Sequence, residues 1–99
     1  MYIEFTGHHM DVTPALKTHT KEKFAKLEKH FDKITSVHVV LNVEKLRQIA
    51  EGTVLIAKDK FHASSEDENM YTAIDLLADK LDKQLLKHKE KRHDSHHRE

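Results

Sequence analysis

Apolar and polar residues alternate from the first position. In "MYIEFT", Met1, Ile3 and Phe5 fall on one side and Tyr2, Glu4 and Thr6 on the other. A period of two is that of a strand with one buried face, and Gly7 is expected to end it. The period then changes. In "DVTPALKTHTKEKFAKLEKHFDK", Leu16, Thr20, Phe24, Leu27 and Phe31 recur by three and four, the stripe of an amphipathic helix. Thr13 suits its N-cap and Pro14 its first turn, where a missing amide hydrogen costs nothing. "TSVHVVLNVEK" returns to a period of two, with Val37, Val39, Leu41 and Val43 opposite His38, Val40, Asn42 and Glu44.

"GTVLIAKDKFHAS" reads as a hairpin with Val54 and Ile56 facing inward, "KD" at the turn, and Phe61 and Ala63 bringing the core face back. "SSEDENMYTAIDLLADKLDKQLLKHKEK" closes the series as a helix, with an acidic start and a basic finish matched to the helix macrodipole. Met70, Ile74, Leu77, Leu81 and Leu85 form its inner stripe. The order β-α-β-β-β-α, with one apolar face per strand, predicts an α+β fold: a four-stranded mixed sheet with two helices on one face. The first crossover makes strands one and two parallel. Residues 1–92 form a single domain, and the His-rich tail 93–99, without an apolar residue to dock, is expected to be disordered.

Charge changes the picture. The 99 residues have a formal net charge of zero, 17 basic against 17 acidic, yet the signs are separated. On the last helix, at about 100° per residue, Lys80, Lys83, Lys87 and Lys91 fall on one outer flank and Asp75, Asp79, Asp82 and Glu90 on the other. Residues 17 to 33 carry six lysines against three acids, and residues 79 to 93 carry six bases against three acids, a net +3 each. A solubility face interleaves its charges as i,i+4 pairs; a split face keeps a positive strip available to a polyanion. Two neighbouring helices with lysine-rich outer surfaces then make a positive groove suited to a phosphate backbone. The plainer reading is that these lysines are only solvated, since lysines carry no base specificity.

Other chemistries find less support. There is no cysteine, so disulfides and thiolate metal sites are excluded. Nothing approaches the roughly 18 apolar residues of a membrane span, and the opening residues have no secretory signal, so a soluble cytoplasmic protein is expected. A membrane-surface anchor needs the apolar stripe that the sheet requires. The ten histidines, "HDSHH" among them, raise a metal-binding alternative, but no spacing defines a closed site, so neither metal nor cofactor is expected. His8 and His9 lack an oriented third partner for acid–base chemistry, so no catalytic residue is assigned.

"TGHHMDVTPAL", "KFAKLEKHFDKI", "VVLNVEK" and "HASSEDENMYTAIDLLADKLDKQLLKHKEK" together resemble the ribosome hibernation promoting factor family, which includes ribosome-associated inhibitor A. The resemblance covers nearly the whole chain. It implies a fold like that of a dsRNA-binding domain and binding to the small (30S) ribosomal subunit at the mRNA and tRNA decoding region. The contacts it implies are to 16S ribosomal RNA, through basic helix surfaces, with inhibition of translation in stationary phase or stress and no chemistry. The matching positions are Lys23, Lys26, Lys80, Lys83, Lys87, His88, Lys89 and Lys91. In length the chain resembles the short members, which act with a separate ribosome modulation factor to pair 70S particles into 100S dimers. A general structured-RNA-binding module without ribosome dimerisation is the alternative. The pair "HH" departs from the Asn often found in the family's first turn, and "RHDSHHRE" departs from a plain lysine-rich end.

Overall fold

Thr13 opens the first helix as its chemistry dictates: extended backbone, and a side-chain oxygen that accepts from the Leu16 N–H at 3.2 Å. A computed structural model of the chain describes residues 1–31, 33–57 and 59–97, with side chains described through Lys89. The elements are β1 Tyr2–His8, α1 Pro14–His30, β2 Ile34–Glu44, β3 Arg47–Ile56, β4 Asp59–Asp67 and α2 Met70–His97. The strands lie in the order β1-β2-β3-β4. β1 pairs parallel to β2, with Phe5 beside Val39, and the other two pairings are antiparallel. The expected α+β architecture is thus present.

Both helices cover one face. Val37, Val39 and Leu41 of β2, Ala50 and Val54 of β3 and Ala63 of β4 are buried against Leu16, Phe24 and Leu27 of α1 and against Ile74, Leu77, Leu81 and Leu85 of α2. Thr20, in the α1 stripe, is fully buried and donates its hydroxyl proton to the Leu16 carbonyl at 2.7 Å, so its polarity is satisfied inside the helix.

Four sequence expectations shift. β1 runs through Gly7 to His8. Gly7 is required there because an added Cβ would lie 2.5 Å from the Met10 carbonyl oxygen, where the chain folds back. β3 begins at Arg47, joined to β2 by a tight turn at Lys45 and Leu46, with Lys45 in the left-handed region at φ 56°. "LRQIAE" hides this strand because its inward positions are Gln48, Ala50 and Gly52, too small or polar to register as a core face. The acidic start of α2 is also corrected: its first turn holds no acid. Asp67 and Glu68 precede it, and Asn69 is the cap, accepting from Tyr71 N–H at 2.8 Å. Finally, α2 continues past Arg92 to His97. The side chains of the expected tail, Arg98 and Glu99 entirely, and the turn residue Lys58 lie outside the described residues.

Candidate nucleic-acid interface

The parallel pairing of β1 and β2 fixes the relation of the two helices. Each runs back along a strand, and β1 and β4 point the same way, so α1 and α2 lie side by side and parallel. Their contacts advance in step: His19 Nε2 meets Asp75 Oδ1 at 2.7 Å, His30 Nδ1 meets Asp82 Oδ1 at 2.7 Å, and Lys89 Nζ lies 5.8 Å from the centre of the Phe31 ring.

The flank of α2 that carries acids therefore faces α1, and the seam between the helices is not a continuous positive groove. Asp75 is met by His19 and, at 3.9 Å, by Lys23; Asp82 is met by His30. Each half-exposed pair is a contact of modest worth, about 0.2–1 kcal/mol. Together they mark the register in which the two helices meet. The exposed lysines consequently form two ridges flanking a matched acid–histidine seam, Lys26 on α1 and Lys83 and Lys87 on α2, and these are the candidate contact surface.

The expected contact residues fall into three groups. Lys26 on α1 and Lys83, Lys87 and Lys89 on α2 are exposed, and no carboxylate bonds to them among the described residues. Lys23 is half-buried beside Asp75, a dual position facing both seam and solvent. Lys80 and His88 turn the other way, toward β4. Lys80 donates to the Ser64 carbonyl at 2.7 Å and Gln84 to the His62 carbonyl at 3.0 Å. One turn further, His88 packs edge-on against Phe61, with Nε2 3.2 Å from Asp59 Oδ2 but off the hydrogen-bond direction. This i, i+4, i+8 row closes the outer edge of β4, whose carbonyls would otherwise be free to pair with another strand. The side chain of Lys91 lies outside the described residues.

Sequence reasoning missed His19 and His30. Both sit on the margin of the α1 stripe, and their role appears only once α2 is known to run alongside in the same direction. Among the described residues no group of three or more His, Asp or Glu side chains is placed to hold a metal ion, and no helix is long and apolar enough to cross a membrane.

Residues 3–93 match the family described as Sigma 54 modulation protein / S30EA ribosomal protein. Over 91 residues the chain is 54% identical to a ribosome hibernation promoting factor of Azotobacter vinelandii, covering 92% of this chain and 85% of that protein. It is 46% identical to the Escherichia coli factor of the same name, covering 92% of this chain and 96% of that protein. Among solved structures, a ribosomal subunit interface protein from Coxiella burnetii superposes with a TM-score of 0.85 at 34% identity, covering 90% of this chain and 98% of that one. The N-terminal domain of Thermus thermophilus Protein Y superposes with a TM-score of 0.79 at 28% identity, covering 85% and 94%. With the match spanning all six elements, the chain belongs to the Sigma 54 modulation protein / S30EA ribosomal protein family, the family of the ribosome hibernation promoting factors.

Proposed function

We propose that the protein is a ribosome hibernation factor. It binds the small (30S) subunit at the mRNA and tRNA decoding region, laying its two lysine ridges on phosphates of 16S ribosomal RNA, and it blocks translation by occupancy without catalysing a reaction. In stationary phase or stress it acts with ribosome modulation factor to gather 70S particles into 100S dimers, which places it in the cytoplasm. The observation that carries this reading is the division of α2: its acids Asp75 and Asp82 are matched by α1 in the seam, while Lys83 and Lys87 remain exposed on the outer side. Family membership supports a ribosomal partner, since relatives are named for ribosome hibernation and for the ribosomal subunit interface.

The test is co-sedimentation with purified 30S and 70S particles, paired with in vitro translation. Lys26→Glu, Lys83→Glu and Lys87→Glu combined should abolish pelleting and relieve inhibition with the melting temperature close to the parent's, because none of these side chains is buried. Asp79→Asn, on an exposed position beside the seam, should leave binding equal or slightly tighter. Gradients run with and without modulation factor then show whether 100S particles form. A triple variant that pellets and inhibits like the parent would end this reading, and equal affinity for an unrelated RNA hairpin would replace it with a general RNA-binding module.

A further inference from the structure

The helices cover one face of the sheet, and the other face is bare among the described residues. Its outward positions run Tyr2, Glu4, Thr6 and His8 on β1, Ser36, His38, Val40, Asn42 and Glu44 on β2, Arg47, Ile49, Glu51, Thr53 and Leu55 on β3, and Lys60, His62, Ser64 and Glu66 on β4. The register sets Glu4 beside His38, and Val40 between Thr6 and Glu51.

Three features bear on what this face can bind, and the first sets it apart from the helical layer. Its charge is opposite: Glu4, Glu44, Glu51 and Glu66 stand against Arg47 and Lys60, and Arg47 is already bonded to Glu66. The helices present nine lysines, through Lys89, against five acids. Apolar and ring side chains are open here, with Tyr2 65% and Leu55 40% exposed and Val40 and Ile49 half-buried, as Tyr71, Leu76 and Leu86 are on the outside of α2. Aromatic and apolar groups with a polar rim are the composition of protein interfaces. Finally, four strands about 4.8 Å apart and nine residues long give a face of roughly 500 Å². Its length of about 30 Å is what an extended segment of eight or nine residues spans.

We infer that this open sheet face is a docking surface for a short, extended, lysine- or arginine-rich polypeptide segment. Its carboxylates repel phosphate, so nucleic acid is disfavoured here, and its flat outline along the strands matches an extended segment. Glu4 and Glu51 supply the charge, while Val40, Ile49 and Leu55 supply apolar contact. The inference adds to the ribosome-binding reading: a protein seated helix-first on RNA turns this face toward whatever basic polypeptide lies on its other side.

Backbone amide shifts of the full chain, titrated with an octapeptide alternating lysine with valine and threonine, test it without ribosomes. The expected shifts centre on Val40, Glu51 and Thr53, and Glu4→Lys combined with Glu51→Lys should raise Kd at least tenfold. Shifts confined to α1 and α2, sheet shifts that persist in the double variant, or no shifts at millimolar peptide would overturn the inference. In a second arm, p-benzoylphenylalanine replacing Val40 is irradiated on purified small subunits. An adduct with a ribosomal protein that disappears in the double variant supports the docking surface. An adduct with ribosomal RNA, or none from a protein that does pellet, overturns it. Failure to pellet counts against the ribosome-binding reading alone and leaves the peptide titration to decide.

Discussion

Lys80 and Lys83 sit three residues apart on one helix, yet they meet different neighbours. Lys80 is bonded to the Ser64 carbonyl, whereas Lys83 is exposed with no bonded carboxylate among the described residues. Their substitutions should therefore separate stability from recognition. Lys80→Met loses a charge-assisted hydrogen bond at a site open to water, so a cost of about 0.5–1 kcal/mol is expected, a drop of about 2–8 °C in Tm for a domain of this size. Lys83→Met should change stability by less than about 0.5 kcal/mol. On RNA the order reverses: Lys83→Met should reduce the slope of log K against log salt by about 0.7–0.9, one phosphate contact, and Lys80→Met should leave it unchanged. Melting curves and salt titrations on the same two variants check both halves, and equal effects from the two lysines would remove the distinction. The sequence places both on the lysine flank, because a helical wheel reports angle and not which strand edge lies beneath it.

The elements were legible wherever one face carries large aliphatics, as in β2 with Val37, Val39 and Leu41 and in α2 with Ile74, Leu77, Leu81 and Leu85. They were obscure where small residues serve close approach. Gly52 lies under α2, and a Cβ there would come within 3.1 Å of Leu81 and 3.2 Å of Leu77. At Gly7 the obstacle is the backbone carbonyl of Met10, at 2.5 Å. Flexible leucine ends yield more readily than backbone. Gly7→Ala is accordingly expected to destabilise by about 1–3 kcal/mol, the range for overpacking, and Gly52→Ala by less, as measured by denaturant midpoints at constant m. The seam has its own test. Asp75→Asn and Asp82→Asn each replace an acceptor for a histidine of α1, and double-mutant cycles with His19→Ala and His30→Ala should give coupling energies of about 0.2–1 kcal/mol per pair. Zero coupling in both cycles would mean that the core stripes alone set the register of the helices. No pattern within either helix announces these pairs, since each bridges residues more than 50 positions apart.

At the scale of the molecule, a formal net charge of zero conceals two layers of opposite sign, lysine-rich helices above and an acid-bearing sheet below. Net charge alone predicts weak attraction to a polyanion and little response to salt. The layered distribution predicts otherwise, because counterions are released only where phosphates are neutralised, at the ridges. If Lys26, Lys83, Lys87 and Lys89 each take one phosphate, log K should fall with log salt at a slope of about −3, so that affinity for small subunits drops about 60-fold between 50 and 200 mM salt. Lys83→Glu with Lys87→Glu should bring the slope to about half that value and weaken binding at every salt concentration. Reversing charges on the sheet side, by Glu4→Lys with Glu51→Lys, should leave the slope for RNA within error of the parent's, since those positions lie across the core from the ridges. A flat salt profile for the parent would show that its neutrality governs after all. An equal change of slope from ridge and sheet variants would show that total charge, rather than its division between the two faces, controls binding.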